Sequence, residues 1–328
     1  MKVVHIIGAD ISKKTIDLFC FQSSSHLKIT NDVNGFKRIQ LWISKLGVRT
    51  KSLAVVMEHT GYYSYHFENF LHQNQIRFSK VSALEIKRSM GLVRGKNDKI
   101  DSQRIARFGH EKQDRLRPET LTPPELQNLQ ILVSTRALYV KQRSSLLCAI
   151  KEHQIILSPK ASIIEGQQRL VGELTRQIKG LEKEMKTLLS KPDAIGDNFR
   201  LLTSIVGIGL IIGATVLIKT KNFTRFTNRK KFSCYCGSAP FDHSSGTSIM
   251  KKTRISHLAD KTMKTLLTQA AKTAIQHDKE LKHYYQRRTE SGKTKRSTIN
   301  VVRNKLIHRM FAIVKRQTPY INQVLKRA

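Results

Sequence analysis

Residues 3–30 read VVHIIGADISKKTIDLFCFQSSSHLKIT, three apolar runs separated by short polar breaks. VVHIIGAD, TIDLFCF and HLKIT are rich in β-branched and aromatic residues, so they predict three strands joined by hairpins. Outward from them, Phe36, Ile39, Leu41, Trp42 and Leu46 mark a helical face, and SLAVVMEH (52–59) reads as a fourth strand. An aromatic helix from Tyr62 to Leu71, a fifth strand IRFSKVSA (76–83) and a helix opening near Asn97 complete the segment. Three consecutive strands followed by alternating helix and strand predict a mixed sheet with helices packed on it, an α/β nuclease-like order.

The 328 residues carry 59 Lys and Arg against 24 Asp and Glu, a net charge of +35, and 39% are hydrophobic. That apolar content excludes wholesale disorder, and the length suggests two domains. A field this positive concentrates polyanions. With no N-terminal signal or basic amphipathic anchor, nucleic acid is expected rather than a lipid surface. Residues 250–328 alone hold 20 basic and 4 acidic groups, a net of +16. Cys20, Cys148, Cys234 and Cys236 are too few and scattered for a disulfide framework, and a cytoplasmic protein is expected. Cys234 and Cys236 form a C-x-C pair, but no partner pair at zinc spacing comes after them.

Between Leu121 and Ser190 the pattern changes to long helices. Pro123 and Pro124 suit a first turn, and Leu126, Leu129, Val133, Val140 and Leu147 follow a heptad seam interrupted by Arg136 and Ser144. After a break at Ser158-Pro159, Val171, Leu174, Ile178, Leu181, Met185 and Leu188 repeat at three-four spacing, a short coiled-coil signature. An intramolecular helical hairpin and a dimerisation arm both satisfy it. Residues 201–218, LLTSIVGIGLIIGATVLI, are free of charge, which opens three readings. They are a transmembrane span, a buried helical hairpin, or a hairpin whose Gly207-Ile208-Gly209 turn offers backbone N–H groups to a phosphate.

Four carboxylates stand out by position. Asp10 and Glu58 each end an apolar strand, and Asp98 and Asp101 are three apart at a helix start. That spacing puts the last two on one face, roughly 5 to 6 Å apart at their Cβ atoms. If the strands of Asp10 and Glu58 are neighbours, four acids converge. Such a cluster is costly without a counterion, which two Mg2+ ions would supply while assisting phosphoryl transfer. The plainer reading makes each acid a turn residue or a complement to the helix dipole. Asp17, Asp32, Glu68, Glu85, Glu111 and Asp114 lack such placement and read as solvated. Farther on, GSAPFDHSSGTS (237–248) places Ser244, Ser245 and Gly246 just before Lys251, Lys252 and Arg254. A serine hydroxyl can attack phosphorus if its anionic target is held by cations.

Together these motifs resemble the DEDD transposases of bacterial insertion sequences, the group that includes bridge-RNA-guided serine recombinases and pilin-gene invertases. The resemblance implies a RuvC-like (RNase H-like) α/β domain at 1–117 and a helical coiled-coil region at 118–195. A mainly helical C-terminal transposase domain with a helix-hairpin-helix-like start would occupy 196–328. It implies that Asp10, Glu58, Asp98 and Asp101 bind Mg2+, two ions, with Mn2+ the alternative. The Gly-Ile-Gly turn, the Gly237 to Pro240 element and Ser245-Gly246 match the family's last domain, making Ser245 the nucleophile, with Ser244 beside it as the other choice. Where the family continues from Ser-Gly into a further glycine and basic residues, this chain has Thr247, Ser248, Ile249 and Met250. Gly207, Gly209, Lys251, Lys252 and Arg254 would contact nucleic acid. The partners implied are the DNA of element ends and target, a structured non-coding RNA that guides target choice, and further copies in a dimer or tetramer, with no membrane. Two other functions fit the residues: a junction-selective RNase H-type endonuclease without serine chemistry, and a non-enzymatic nucleic-acid scaffold.

Overall fold

The computed structural model describes residues 5–91, 95, 97–155, 160–226, 228–245 and 249–321, and side chains 241–254 are outside that description. Its two compact units are Met1–Leu121 and Thr122–Ala328.

In the first unit the elements run β1 (His5–Ile11), β2 (Thr15–Cys20), β3 (Ser25–Thr30), α1 (Val33–Lys45), β4 (Leu53–Glu58), α2 (Tyr65–Gln73), β5 (Arg77–Val81), α3 (Ala83–Ser89) and α4 (Asp98–Glu111). The sheet order is β3-β2-β1-β4-β5. The first three strands are antiparallel neighbours, whereas β4 lies parallel to both β1 and β5. This is the expected RuvC-like, RNase H-like mixed sheet. The aromatic helix begins at Tyr65, with a 3-10 turn at Gly61–Ser64 ahead of it. The short α3 carries too few apolar positions for periodicity to reveal it.

The central strands are apolar along their length because helices cover both faces. Side chains alternate in direction along each strand, which sorts the residues between the two faces. Ile7, Ala9, Ile11, Val55 and Met57 pack with Phe36, Ile39 and Trp42 of α1 and Phe67, Phe70 and Leu71 of α2. Ile6, Ala54 and Val56 join Ile86 of α3 and Ile105 and Phe108 of α4 on the opposite side. Each large side chain so buried contributes roughly 1.5 to 3 kcal/mol. Asp10 and Glu58 share the parity of Ile6 and Val56, so both belong to the α4 face.

The second unit opens with α5 (Pro124–His153) and α6 (Ala161–Leu189). Arg136 bonds Glu182 at 2.7 Å, Arg143 bonds Thr175 at 3.4 Å and His153 meets Gln167 at 3.2 Å. As one partner's number rises the other's falls, so the two helices pair antiparallel within the chain. The Ser158-Pro159 break lies outside the described residues. Then come α7 (Ala194–Thr203), α8 (Leu210–Thr220), α9 (Arg229–Tyr235), the antiparallel strands β6 (Pro240–Ser245) and β7 (Ile249–Ile255), α10 (Lys261–His277), α11 (Lys279–Glu290) and α12 (Lys295–Arg316). Leu126 and Leu129 of α5 and Met185 and Leu189 of α6 share one core with Leu202, Leu217, Phe232, Leu267 and Leu306. The change of pattern in the sequence suggests a boundary near 195; in the fold, α5 and α6 bury their apolar surface together with the helices beyond that point.

The uncharged run 201–218 is split between α7 and α8, whose buried Leu202, Val216 and Leu217 face that core. Among the described residues no helix is long and apolar enough to cross a membrane. The β6–β7 hairpin spans the stretch that carries Ser244 and Ser245.

Candidate active site

β1 and β4 run side by side with Ala9 opposite Met57, so the next residues along, Asp10, one short of the end of β1, and Glu58, the last of β4, lie at the same end of adjacent strands. The helix α4 crosses the same face. It can do so because residue 8 is glycine: a Cβ there would lie 2.1 Å from the Ser102 carbonyl oxygen and 2.3 Å from the Ala106 nitrogen. No side chain fits in that space. The close approach brings the first turn of α4 to the end of β1. Asn97 caps that turn, its Oδ1 accepting from the Ile100 N–H at 2.7 Å, and Asp98 and Asp101 stand beyond it at i, i+3 spacing.

The electrostatics register this convergence. Asp10 is pushed up to about 6, first by burial and then by repulsion from Asp98, Asp101, Glu58 and Asp17. Asp10 therefore senses the other three expected acids, together with a fifth, Asp17. Asp17, which reads as solvated in the sequence, lies directly opposite Asp10 in the β1–β2 ladder and is only 3% exposed. Its charge is tolerated because β3 supplies polar partners, one of them a cation: His26 Nε2 is 2.8 Å from Oδ1 and Lys28 Nζ is 3.2 Å from Oδ2. Lys28 also stands 3.8 Å from Asp98 Oδ2. On α4, Arg104 Nη1 donates to Asp101 Oδ1 at 2.9 Å, while its Nη2 donates to the Gly95 carbonyl at 2.8 Å. The signal that could have found Asp17 is the tight β1–β2 connection, which pairs Ile11 with Ile16 and hence Asp10 with Asp17.

Glu68 is a second correction. It is buried, accepting from the Ser64 hydroxyl at 2.5 Å and from Lys80 Nζ at 2.6 Å, and so ties α2 to β5. Asp32, Glu85, Glu111 and Asp114 are at the surface as expected.

Among the described residues no group of three or more His, Cys, Asp or Glu side chains is arranged as a ready metal-binding cluster. The donor set nonetheless suits a hard divalent cation, since it is all carboxylate and Asp10 is held up by burial and like charge. Cys234 and Cys236 are free thiols, the latter inside the core, where burial raises its pKa.

Farther down the chain, Ser244 pairs with Met250 and Ser245 with Ile249 at the closed end of the β6–β7 hairpin. Gly246, Thr247 and Ser248 lie outside the described residues, as do the side chains of Ser244, Ser245, Lys251, Lys252 and Arg254. The Gly207 to Gly209 turn joins α7 to α8 as a helix-hairpin-helix. Gly207 has φ +94°, and a Cβ on it would stand 2.5 Å from the Ala270 carbonyl oxygen, so this glycine is explained by packing on α10. Gly209 is exposed at the start of α8, with open space around it.

Comparison with known proteins gives two family matches. Residues 7–155 match the DEDD transposase model of IS110-type elements, and residues 199–286 match the Transposase IS116/IS110/IS902 family. A pilin gene-inverting protein of Moraxella bovis is 23% identical over 325 residues, covering 97% of this chain and 98% of its own. The Moraxella lacunata pilin gene-inverting protein gives the same figures. The transposase for insertion sequence element IS1111A of Coxiella burnetii is 26% identical over 305 residues, covering 85% of this chain and 80% of its own. Among solved structures, T. thermophilus RuvC in complex with Holliday junction substrate is similar at 10% identity and a TM-score of 0.27, covering 35% of this chain and 99% of that one.

Proposed function

The chain belongs to the DEDD transposases of insertion sequences, of the IS116/IS110/IS902 type, and on that premise we propose how it cuts and rejoins DNA. Asp10, Glu58, Asp98 and Asp101 hold divalent metal, Mg2+ or Mn2+ and in a pair, and Ser245 is the nucleophile. The observation that carries this reading is the placement of Asp10 and Glu58 at the same end of adjacent strands with α4 packed across that face, so that Asp98, Asp101 and Glu58 repel the Asp10 carboxylate. Bound there, a metal pair would neutralise the cluster and stabilise the entering and leaving oxygens at phosphorus. The serine oxygen forms a bond to phosphorus as the P–O bond to the departing DNA end breaks; the serine proton is lost and the departing oxygen gains one. The phosphoserine link keeps the bond energy for the reverse step, so joining a new end needs no ATP. Lys251, Lys252 and Arg254, with the N–H groups around Gly207 and Gly209, contact the nucleic-acid backbone. Base pairing with a bound structured RNA selects the target, in the cytoplasm, with a dimer or tetramer as the acting form.

The test uses the purified full chain with a plasmid bearing the element ends and a transcript of the flanking segment. Asp10→Asn should lower strand exchange by more than about 100-fold. Ser245→Ala should abolish the covalent protein–DNA adduct and the rejoined product. Cleavage that persists in Ser245→Ala and in Ser244→Ala would instead favour a hydrolytic endonuclease, and full activity in Asp10→Asn would refute the metal site.

A further inference from the structure

Two groups of cations in the second unit meet at one residue, Lys305 of α12. Its Nζ sits 4.4 Å above the Tyr284 ring, and Arg287 and Arg288 of α11 lie 5.8 and 5.9 Å from the same ring centre. One turn along α12, His308 is held below its usual pKa by burial and then by Arg229, Lys305 and Lys230, of which Arg229 and Lys230 belong to α9. The α9 and α12 helices are tied by the Ser233 hydroxyl and Asn304 Oδ1 at 2.8 Å. The carboxylates at the start of α11, Asp278 and Glu280, are both taken by Arg309, at 2.6 and 2.7 Å. Among the described residues, none of Arg229, Lys230, Arg287, Arg288 and Lys305 has a carboxylate within ion-pair distance. Arg288 Nε is shielded from water and has no acceptor. Like charges collected without counter-charge are unfavourable, and a polyanion relieves them.

We propose that Arg229, Lys230, Arg287, Arg288 and Lys305 form a seat for the phosphate backbone of duplex DNA on α9, α11 and α12. It rests on the transposase reading and assigns that reading a DNA contact apart from the Gly207 turn and the basic stretch after Ser245. Duplex is favoured over single-stranded RNA because cations dominate the patch and Tyr284, partly buried with three of them close to its ring, is poorly placed to stack on a base.

The test is fluorescence anisotropy of the full chain on an element-end DNA duplex and, separately, on the flanking-segment transcript, across a salt series. Arg229→Gln, Arg287→Gln and Lys305→Gln together should weaken duplex binding roughly 10- to 100-fold and reduce the salt slope by about 2 to 3, near 0.9 for each phosphate left without its cation. A control removing the same charge from exposed sites on α1, Lys37→Gln, Arg38→Gln and Lys45→Gln, should move both far less. Duplex binding equal to the control, or a loss confined to the RNA arm, overturns the seat while leaving the transposase reading intact. A wild-type chain that binds no DNA at all removes both.

Discussion

Asp10 and Asp17 face each other across the β1–β2 ladder, yet their surroundings differ: Asp17 is held by His26 and Lys28, while Asp10 is pushed up to about 6. The sheet thus carries a cross-strand row of Asp10, Asp17 and Lys28, since Lys28 in turn pairs with Asp17 in the β2–β3 register. Asp17→Asn removes the centre of that row. It should destabilise the chain by about 1 to 3 kcal/mol, less than a fully buried pair costs because Lys28 is half in water. It should also lower the Asp10 pKa, because one like charge is gone. Urea unfolding and a carboxyl NMR titration measure the two effects; an Asp10 pKa that stays at about 6 would show that Asp17 does not act on it.

Lys28 reaches from Asp17 toward Asp98, a cation already standing at the edge of the acid cluster. Metal bound by those acids would be repelled by it. Lys28→Met should therefore tighten divalent-metal binding roughly 3- to 10-fold, the order expected for one screened unit charge against a divalent ion several ångströms away. Calorimetric titration of the nucleic-acid-free protein with Mn2+ reads this directly, and weaker binding would mean that Lys28 instead holds Asp98 in place.

Gly8 decides whether α4 can reach the end of β1. Gly8→Ala sets a methyl group against the backbone at Ser102 and Ala106, which cannot turn aside as a side chain could. A loss of about 3 kcal/mol or more is expected, at the upper end for overpacking. If the variant folds, Asp98 and Asp101 are displaced and the Asp10 pKa falls. A variant with unchanged urea midpoint and unchanged Asp10 titration would mean that the close approach does not position the acids.

What the sequence disclosed depends on which interactions are local. The strand runs, the position of Asp10 and Glu58 toward the ends of theirs, and the helix start near Asn97 depend on composition within a few residues, so these were legible. Asp17 was not, because in TIDLFCF it occupies the face opposite Ile16 and Leu18 and looks like an outward residue; only the α4 packing allowed by Gly8 covers that face. The β6 strand, PFDHSS, contains few strand formers, and its pairing with β7 supplies what its composition does not. In α5 the seam was partly legible: Leu126 and Leu129 enter the core, whereas Leu147 is exposed. Whether a seam residue is covered depends on the facing helix, which spacing alone does not specify.

The raised Asp10 carboxyl makes stability depend on pH in a direction opposite to that of an ordinary ion-paired acid. Its folded pKa, about 6, lies above the ordinary value of 3.8, so between these values the folded chain holds a proton that the unfolded chain releases. Asp10 thus favours folding fully below about pH 4, and that contribution is lost as pH rises through 6. Asp10→Asn cannot ionise and keeps a neutral side chain at every pH. Without divalent metal it should melt higher than the wild type at pH 7.5, and the difference should vanish below about pH 4, where both chains are neutral at this position. If Asp10 is a metal ligand as proposed, adding Mg2+ or Mn2+ should reverse the order, because a metal bound only by the folded form stabilises it in proportion to RT ln(1 + [L]/Kd) and the variant would bind it less well. Melting curves of the two proteins at pH 4, 6 and 7.5, with chelator and with metal, contain the whole comparison. A variant that melts below the wild type at pH 7.5 in chelator would show that burial and the neighbouring acids do not disfavour the charged Asp10.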